Sequence, residues 1–130
     1  MANLPGRQLE VMIVADNPET IEGLRAYFNG VGVASQGRRD LRDPSAVTAT
    51  TTAVVIFPDE LVEAAVVRRI LALRSTRPEL PIVLVTGAPQ RFQAALAADD
   101  RSLPPIVLPR PAFGWTILDT IRAHAHAERS

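Results

Sequence analysis

Apolar residues along the chain are concentrated in five short runs, at residues 9–15, 31–34, 53–57, 82–85 and 106–108. Most of these runs are rich in valine, isoleucine and leucine and show no regular alternation with polar residues. Continuous apolar runs of this length are typical of strands that are buried on both faces of a parallel sheet. We therefore predict five strands at these positions.

Helix signals follow each of the predicted strands. The first helix is predicted to begin at Pro18, because proline suits the first turn of a helix, and to end at Asn29-Gly30. Another is predicted to begin at Pro58 for the same reason. The remaining predicted helices are a short one at residues 45–49, one at 90–98 and one at 113–127, with loops at 37–44 and 99–103.

Strands and helices therefore alternate along the whole chain. Such an alternation favours a doubly wound α/β fold, because right-handed crossovers place helices on both faces of a parallel sheet. We predict a five-stranded, flavodoxin-like sheet with strand order 2-1-3-4-5 in a three-layer α/β/α arrangement. The domain is placed at residues 8–128, between an amino-terminal tail at 1–7 and a carboxyl-terminal tail at 129–130.

The charge composition argues against several classes of function. Fourteen basic residues, all of them arginine, balance 14 acidic ones, and the cluster of Arg38, Arg39 and Arg42 is interleaved with acidic residues. We interpret this cluster as solvated surface and expect no binding of nucleic acid, which needs clustered cations. The chain has no apolar run long enough to span a membrane, no signal-peptide pattern and no cysteine. We expect a cytoplasmic protein without membrane contact.

A single carboxylate, Asp16, follows the first predicted strand. In open parallel sheets the carboxyl ends of the strands form the ligand crevice, so Asp16 is the first candidate for a functional residue. The loops after the first and third strands contain no glycine-rich phosphate motif, which argues against nucleotide binding there.

The segment from residue 10 to residue 127 resembles the receiver domain of bacterial response regulators, the CheY-like superfamily. The resemblance rests on four pieces in the same order: VMIVADNPETIEGLRAYF, TAVVIF, RRILALRSTRPELPIVLVTG and IVLPRPAFGWTILDTI. It implies a signalling domain of a two-component system, in which phosphorylation of an aspartate acts as a switch.

Two working parts of that family are altered in this chain. Receivers hold Mg²⁺ with two acidic residues at the end of the first strand, where this chain has Ala15 and Asp16. Because Mg²⁺ favours more than one carboxylate, Asp16 is a weak candidate ligand, and we expect no cofactor. The phosphoaccepting aspartate of the family ends the third strand, where Phe57 and Pro58 cannot accept a phosphoryl group. Asp59 lies one residue later, and we expect it to cap the next helix or interact with its dipole.

The remaining positions of the switch match the family in part. Thr86 matches the threonine or serine that hydrogen-bonds the phosphoryl group in receivers. Arg110 and Pro111 replace the family's Lys-Pro pair, and Pro111 is expected to retain a cis bond, whereas arginine is not a neutral substitute for lysine. Val107 stands where active receivers often carry a switching aromatic residue. We predict that an ion pair between Arg110 and Asp16, direct or through water, replaces the metal and phosphoryl charges.

These observations lead to three hypotheses of function. The first is a degenerate receiver, or pseudo-receiver, that is not an enzyme and acts by phosphorylation-independent contact with another protein. The second is a rearranged, active receiver in which Asp16 and Asp59 converge near Thr86 and accept a phosphoryl group with Mg²⁺. A minor third hypothesis is a small-molecule sensor with the flavodoxin-like fold.

The resemblance also implies a class of partner. Receivers contact histidine kinases and output domains, and many dimerise through the face made by the fourth helix, fifth strand and fifth helix. Val107, Phe113 and Trp115 are the candidate interface residues on this face. An equally weighted reading of Trp115 is that it packs over the neighbouring loop as an ordinary helix-end residue.

Overall fold

Five parallel strands form a single sheet in the order β2-β1-β3-β4-β5. The computed structural model describes residues 9–39, 50–96 and 106–129. Every neighbouring pair of strands is parallel, so the predicted fold class and strand order are confirmed. The strands are β1 Glu10–Val14, β2 Ala34–Arg38, β3 Ala53–Ile56, β4 Ile82–Thr86 and β5 Ile106–Pro109.

The part of the chain that the structure describes contains four helices and one 3-10 turn. They are α1 Pro18–Gly30, the 3-10 turn Pro58–Glu60, α2 Glu63–Thr76, α3 Pro89–Leu96 and α4 Gly114–Arg129. Helix α1 begins at the predicted residue, where the side chain of Asn17 accepts a hydrogen bond from the N–H of Glu19 at 2.8 Å. The predicted amino-terminal tail, the short helix at 45–49 and the loop at 99–103 lie outside the described residues.

Helices bury both faces of the sheet. On one face α1 and α4 pack against the strands, and Phe28, Ile117 and Ile121 are fully buried there. On the other face α2 and α3 cover the sheet with buried Ile70 and Phe92. Burial of one large apolar side chain contributes about 1.5–3 kcal/mol, so the sheet is firmly held between the two layers. The carboxyl ends of the strands are therefore fixed positions for the side chains that follow them.

The second strand lies later in the sequence than predicted. It spans Ala34–Arg38, whereas the sequence predicted a strand at residues 31–34 followed by a loop. Gly32 and Val33 instead close the end of α1, because Gly32 has a φ of 81° and the N–H of Val33 donates to the carbonyl of Phe28 at 2.8 Å. β2 is a largely polar edge strand, so it lacks the apolar run that marks the other strands.

The helix predicted to begin at Pro58 is divided into two elements. Pro58–Glu60 forms a 3-10 turn, which is closed where the N–H of Leu61 donates to the carbonyl of Pro58 at 2.9 Å. Leu61 then has an extended backbone, and α2 begins only at Glu63. Asp59 is therefore carried on a short turn of its own between β3 and α2.

Candidate functional site

The carboxylate of Asp59 is the centre of a hydrogen-bonded cluster at the carboxyl ends of β4 and β5. Its Oδ1 accepts the hydroxyl of Thr86 at 2.5 Å. Its Oδ2 accepts the backbone N–H of Gly87 at 2.8 Å and an N–H of Arg110 at 3.3 Å. Both carboxylate oxygens are thus bonded, to one hydroxyl, one backbone amide and one guanidinium.

Thr86 is held in a single orientation by its own surroundings. It is the last residue of β4 and is fully buried. Its hydroxyl oxygen accepts the N–H of Ala88 at 3.0 Å, so the hydroxyl proton is directed to Asp59. The carbonyl of Thr86 accepts the backbone N–H of Arg110 at 3.1 Å, which fixes the end of β5 beside it.

Arg110 approaches Asp59 from the connection between β5 and α4. Its side chain is 51% exposed, whereas that of Asp59 is 28% exposed, so the pair lies at the rim of the cluster. The peptide bond between Arg110 and Pro111 is cis, as the resemblance implied. Salt screens such a rim ion pair in part, and the hydrogen bond from the buried Thr86 is the better shielded contact.

The surroundings of Asp59 favour its charged form. Partial burial raises the pKa of the Asp59 carboxyl group. The hydrogen bonds from Thr86, Gly87 and Arg110, together with the positive charge of Arg110, act in the opposite direction and outweigh it. The net result is a pKa of Asp59 below its ordinary value, so this residue is a carboxylate at neutral pH.

The expectation that Asp59 caps the following helix is wrong. The 3-10 turn and α2 begin after Phe57 and Val62, and neither start has a side-chain cap. Asp59 is turned towards β4 because the 3-10 turn separates it from α2 and three donors at the ends of β4 and β5 satisfy its oxygens.

Asp16 pairs with Arg39 and not with Arg110. Nε of Arg39 donates to the carbonyl oxygen of Asp16 at 3.0 Å, and Nη2 lies 3.4 Å from its carboxylate. The predicted direct ion pair between Asp16 and Arg110 is therefore wrong, and the contact through water stays a prediction. The reason is the position of β2, because the N–H of Ala15 donates to the carbonyl of Arg38 at 3.1 Å and brings Arg39 beside Asp16. Arg38 and Arg39 are both exposed, as expected for solvated surface, and Arg42 lies outside the described residues.

The second hypothesis required two carboxylates to converge near Thr86. Asp59 meets this requirement, whereas the carboxylate of Asp16 lies beside the guanidinium of Arg39. Within residues 9–39, 50–96 and 106–129, no three carboxylate or imidazole groups come together as a metal-binding cluster. Ala15 contributes a buried methyl group to the core where the family has a second acid. These residues do not form a donor set that suits Mg²⁺.

The other residues of the predicted pocket have structural roles at the ends of β1 and β3. The N–H of Phe57 donates to the carbonyl of Val14 at 2.8 Å, and its ring packs against the core. Pro58 begins the 3-10 turn that carries Asp59. Val107 lies half-buried in β5 and packs against the core below α2 and α3.

Phe113 and Trp115 form an exposed aromatic pair where α4 begins. Their rings stack with centroids 4.5 Å apart at an interplanar angle of 6°, and their exposures are 57% and 54%. Gly114 between them lies against the ring of Tyr27 from α1, and a Cβ at this position would overlap that ring. The close approach of α1 and α4 holds the aromatic pair at the surface. Its role as an interface remains a prediction.

A concave surface lies away from this cluster, at the edge of the sheet formed by β2. It is a groove of about 550 Å³ between α1 and the start of β2, lined in part by Glu22, Arg25, Asn29 and Ser35. The groove includes no residue of the Asp59 cluster. None of the helices described is both long enough and apolar enough to cross a bilayer.

Three solved structures with the same architecture have low sequence identity to this chain. No protein-family model and no curated protein sequence matches the chain. The signal receiver domain of an HD domain-containing protein from Pseudomonas fluorescens Pf-5 superposes with a TM-score of 0.76 at 14% identity, covering 95% of this chain and 98% of that one.

Two further structures give the same result. The chemotaxis protein CheY4 of Vibrio cholerae has a TM-score of 0.72 at 18% identity, covering 89% of this chain and 98% of that one. A response regulator receiver domain protein from Clostridium thermocellum has a TM-score of 0.72 at 11% identity, with coverages of 93% and 97%. The strand order, the flanking helices and these superpositions together establish that the chain has the fold of a response-regulator receiver domain.

Proposed function

We propose that this chain is a pseudo-receiver, a signalling domain that acts by contact with a protein partner and requires neither phosphorylation nor Mg²⁺. The observation that carries the proposal is the engagement of Asp59 by Thr86, Gly87 and Arg110. The donors that would meet a phosphoryl group in a receiver of the family are bonded to a carboxylate of the chain itself. In this proposal the domain is not an enzyme.

The residues at the end of β3 support the absence of a phosphoacceptor. Phe57 and Pro58 carry no nucleophilic oxygen, which formation of an acyl phosphate requires. Asp59 has a carboxylate, but both of its oxygens accept hydrogen bonds from Thr86, Gly87 and Arg110. These hydrogen bonds draw electron density from both oxygens, so Asp59 is a weaker nucleophile in this arrangement than a free carboxylate.

The charges around Asp16 support independence from Mg²⁺. The guanidinium of Arg39 lies beside Asp16, and that of Arg110 lies beside Asp59. A divalent cation would therefore meet two positive charges as well as the two carboxylates. Mg²⁺ also keeps its waters unless several oxygen ligands are well placed, and Ala15 offers none.

The partner in this proposal is another protein, such as a histidine kinase or an output domain. Phe113, Trp115 and Val107 are the surface proposed for this contact, and the same surface is proposed for a homodimer. Stacked, half-exposed aromatic rings give a large contact area at a small loss of side-chain entropy, a property shared by many interface hot spots.

The experiment that tests the proposal is phosphorylation by a small phosphoryl donor. The protein is incubated with acetyl phosphate and MgCl₂, and separately with beryllium fluoride, beside an ordinary receiver domain as a positive control. We expect intact-protein mass spectrometry to detect a phosphoryl adduct on the control only. An adduct on this chain that Asp59→Asn abolishes would overturn the proposal.

That outcome would favour the second candidate, a rearranged phosphoacceptor that uses Asp59 with Asp16. The contact between Asp59 and Thr86 is the observation in its favour, since it places a carboxylate next to the hydroxyl used by the family. The pairing of Asp16 with Arg39 stands against it. For the small-molecule sensor, a thermal-shift screen against nucleotides is expected to give no stabilisation.

A further inference from the structure

We propose that the outer edge of β2 is an interface for a second copy of this chain. In this dimer the two β2 strands pair antiparallel around Gln36 and continue the sheet from one copy into the other. The inference goes beyond the proposed function, because it adds a contact surface that includes none of Val107, Phe113 and Trp115. β2 and β5 are opposite edges of the sheet, so this surface is separate from one that includes β5.

The main chain of β2 presents two residues to the outer edge. The carbonyl of Arg38 accepts the N–H of Ala15, so Arg38 directs its main-chain groups towards β1. This direction alternates along a strand, so Gln36 also faces β1, whereas Ser35 and Gly37 direct their N–H and C=O groups outwards. In the part of the chain that the structure describes, no strand lies on that side of β2. Each copy thus brings two donors and two acceptors to this edge.

An antiparallel pair centred on Gln36 uses all of these groups. Ser35 of each copy stands opposite Gly37 of the other as a hydrogen-bonded pair, and the two pairs share four main-chain hydrogen bonds. Gln36 faces its counterpart in a non-hydrogen-bonded pair. A pair centred on Ser35 or on Gly37 instead places the other of these two residues opposite a position outside the strand. The arrangement around Gln36 is also its own two-fold image, as a symmetric dimer requires.

The sequence of β2 leaves the edge open to pairing. Edge strands are commonly protected by proline, by a bulge or by charged side chains. β2 has the sequence ASQGR, which contains no proline and one charge, at its last residue, and its register with β1 is regular. All five residues are exposed or half-buried. The short length of the strand limits the strength of the pairing, so we expect a dimer that exchanges with the monomer.

The charges of α1 are complementary across the same two-fold axis. The axis is perpendicular to the joined sheet, so α1 of both copies lies on the same face. Ile21 marks the level of Gly37, because a Cβ at Gly37 would overlap its side chain. One step back along the strand, to Gln36, equals about two steps along the antiparallel helix, with rises of about 3.3 and 1.5 Å. The axis therefore passes α1 between Glu22 and Arg25, and each Glu22 comes level with Arg25 of the other copy.

The groove beside α1 provides the space for this contact. It has a volume of about 550 Å³, and Glu22, Arg25 and Ala26 on α1 and Ala34 and Ser35 on β2 are among its lining residues. The last three have small side chains, which permit a close approach of the second copy. Each copy offers one carboxylate and one guanidinium, so the axis generates two ion pairs and opposes no like charges. This complementarity favours a second copy over a partner with charge of one sign.

The test uses introduced thiols, because the chain contains no cysteine of its own. Gln36→Cys places two thiols opposite each other at the axis, at a Cβ separation of about 4.5–5.5 Å that is close to the range of disulfides. We expect oxidation with copper phenanthroline to give a disulfide-linked dimer on non-reducing electrophoresis. Ala34→Cys is the matched control, since its two thiols lie about 14 Å apart and should not react. A mixture of Ala34→Cys and Arg38→Cys should give a mixed disulfide that neither variant gives alone.

A charge exchange tests the contact between the helices. Glu22→Arg in the Gln36→Cys protein opposes two pairs of guanidinium groups and is expected to slow cross-linking at least several-fold, as is Arg25→Glu, which opposes carboxylates. The double variant Glu22→Arg/Arg25→Glu restores both ion pairs in the reverse orientation and should recover the rate. Trp115→Ala should leave the rate unchanged. Circular dichroism checks the fold of each variant.

Other outcomes overturn the inference. No disulfide-linked dimer of a folded Gln36→Cys protein, or equal yields from Gln36→Cys and Ala34→Cys, means that β2 does not pair in this way. If Gln36→Cys does not fold, amide hydrogen exchange of the wild-type protein decides the question. Exchange of the Ser35 and Gly37 amides should slow as protein concentration rises, and rates independent of concentration overturn the inference. None of these measurements uses a phosphoryl donor, so a failure of the inference is separate from a failure of the proposed function.

Discussion

The hydroxyl of Thr86 donates a hydrogen bond to Oδ1 of Asp59 at 2.5 Å and joins the end of β4 to the turn that follows β3. Thr86 is fully buried, so its hydroxyl has no access to solvent as a substitute partner. This contact links two connections of the sheet that are far apart in sequence. Asp59 lies one residue after the position of the phosphoaccepting aspartate in the family. The contact explains why its side chain is nevertheless directed towards Thr86.

Removal of the Thr86 hydroxyl is expected to destabilise the fold. Thr86→Val keeps the shape of the side chain but deprives Asp59 of one donor and the N–H of Ala88 of its acceptor. Loss of such a buried partner costs about 1–3 kcal/mol of the free energy of unfolding. Urea unfolding measures this loss, and Thr86→Ser, which restores the hydroxyl, should recover most of it. Equal stability of the valine and serine variants would contradict the contact.

The contribution of Asp59 to stability is expected to depend on pH. Its pKa in the folded protein lies below the ordinary value of 3.8, so the unfolded chain binds its proton first as the pH falls. The stabilisation is therefore complete above about pH 4 and is lost as the pH falls through the folded pKa. The difference in unfolding free energy between the wild type and Asp59→Asn should shrink over that range.

Two checks accompany this pH prediction. Side-chain carbon chemical shifts in an NMR titration give the pKa of Asp59 directly, and Arg110→Ala should raise that pKa towards its ordinary value. Glu79, whose pKa is lowered mainly by a hydrogen bond from Arg77, is present in both the wild type and Asp59→Asn, so its contribution cancels. A pKa of Asp59 above its ordinary value would contradict the prediction.

Two arginine pairs of the fold should differ in their importance for stability. Arg39 and Asp16 are both largely exposed, so Arg39→Ala is expected to cost less than about 1 kcal/mol, and less still in high salt. Arg77 is better buried and donates to the carbonyl of Thr51 at 3.1 Å as well as to Glu79. Arg77→Ala should therefore destabilise the protein more in the same urea experiment, and the opposite order would be inconsistent with the structure.

The aromatic pair predicts a measurable effect on association. If the surface with Phe113 and Trp115 is an interface, Trp115→Ala should weaken self-association. The fold should stay intact, because the half-exposed ring of Trp115 is not part of the core. Sedimentation velocity over a range of concentrations measures this, and circular dichroism checks the fold. Val62→Ala is the matched control, since Val62 is 72% exposed and precedes α2. Unchanged sedimentation for Trp115→Ala would remove the pair as a self-association surface.

The sequence predicted best the elements with strong local signals. β1, β3 and β4 are continuous apolar runs, and α1 begins at a proline preceded by a capping asparagine. β2 was misplaced because an edge strand needs no apolar run, and its position is determined by pairing with β1. Its Gly37 is required by contact with α1, since a Cβ there would overlap Ile21. Such a requirement has no signature in the local sequence.

The errors at the site have the same cause, because they also concern contacts between residues that are distant in sequence. Asp59 next to a helix start suggests a cap, whereas its donors lie 27 to 51 positions away. Asp16 and Arg39 are 23 positions apart and meet only because β2 extends to Arg38. The correct register of β2 would have predicted this contact. The last residue of β2 pairs with Val14 of β1, and this pairing places Arg39 beside Asp16.

The carboxylate that accepts the hydrogen bond of Thr86 is part of the polypeptide itself, and this has a consequence for the lifetime of a signal. A phosphoryl group is added by one enzyme and removed by another or by water, so its message expires. A carboxylate encoded in the gene persists for as long as the molecule does. In the proposed function, the strength of the output is therefore determined by how many copies a cell makes and degrades, and synthesis and proteolysis take the place of kinase and phosphatase.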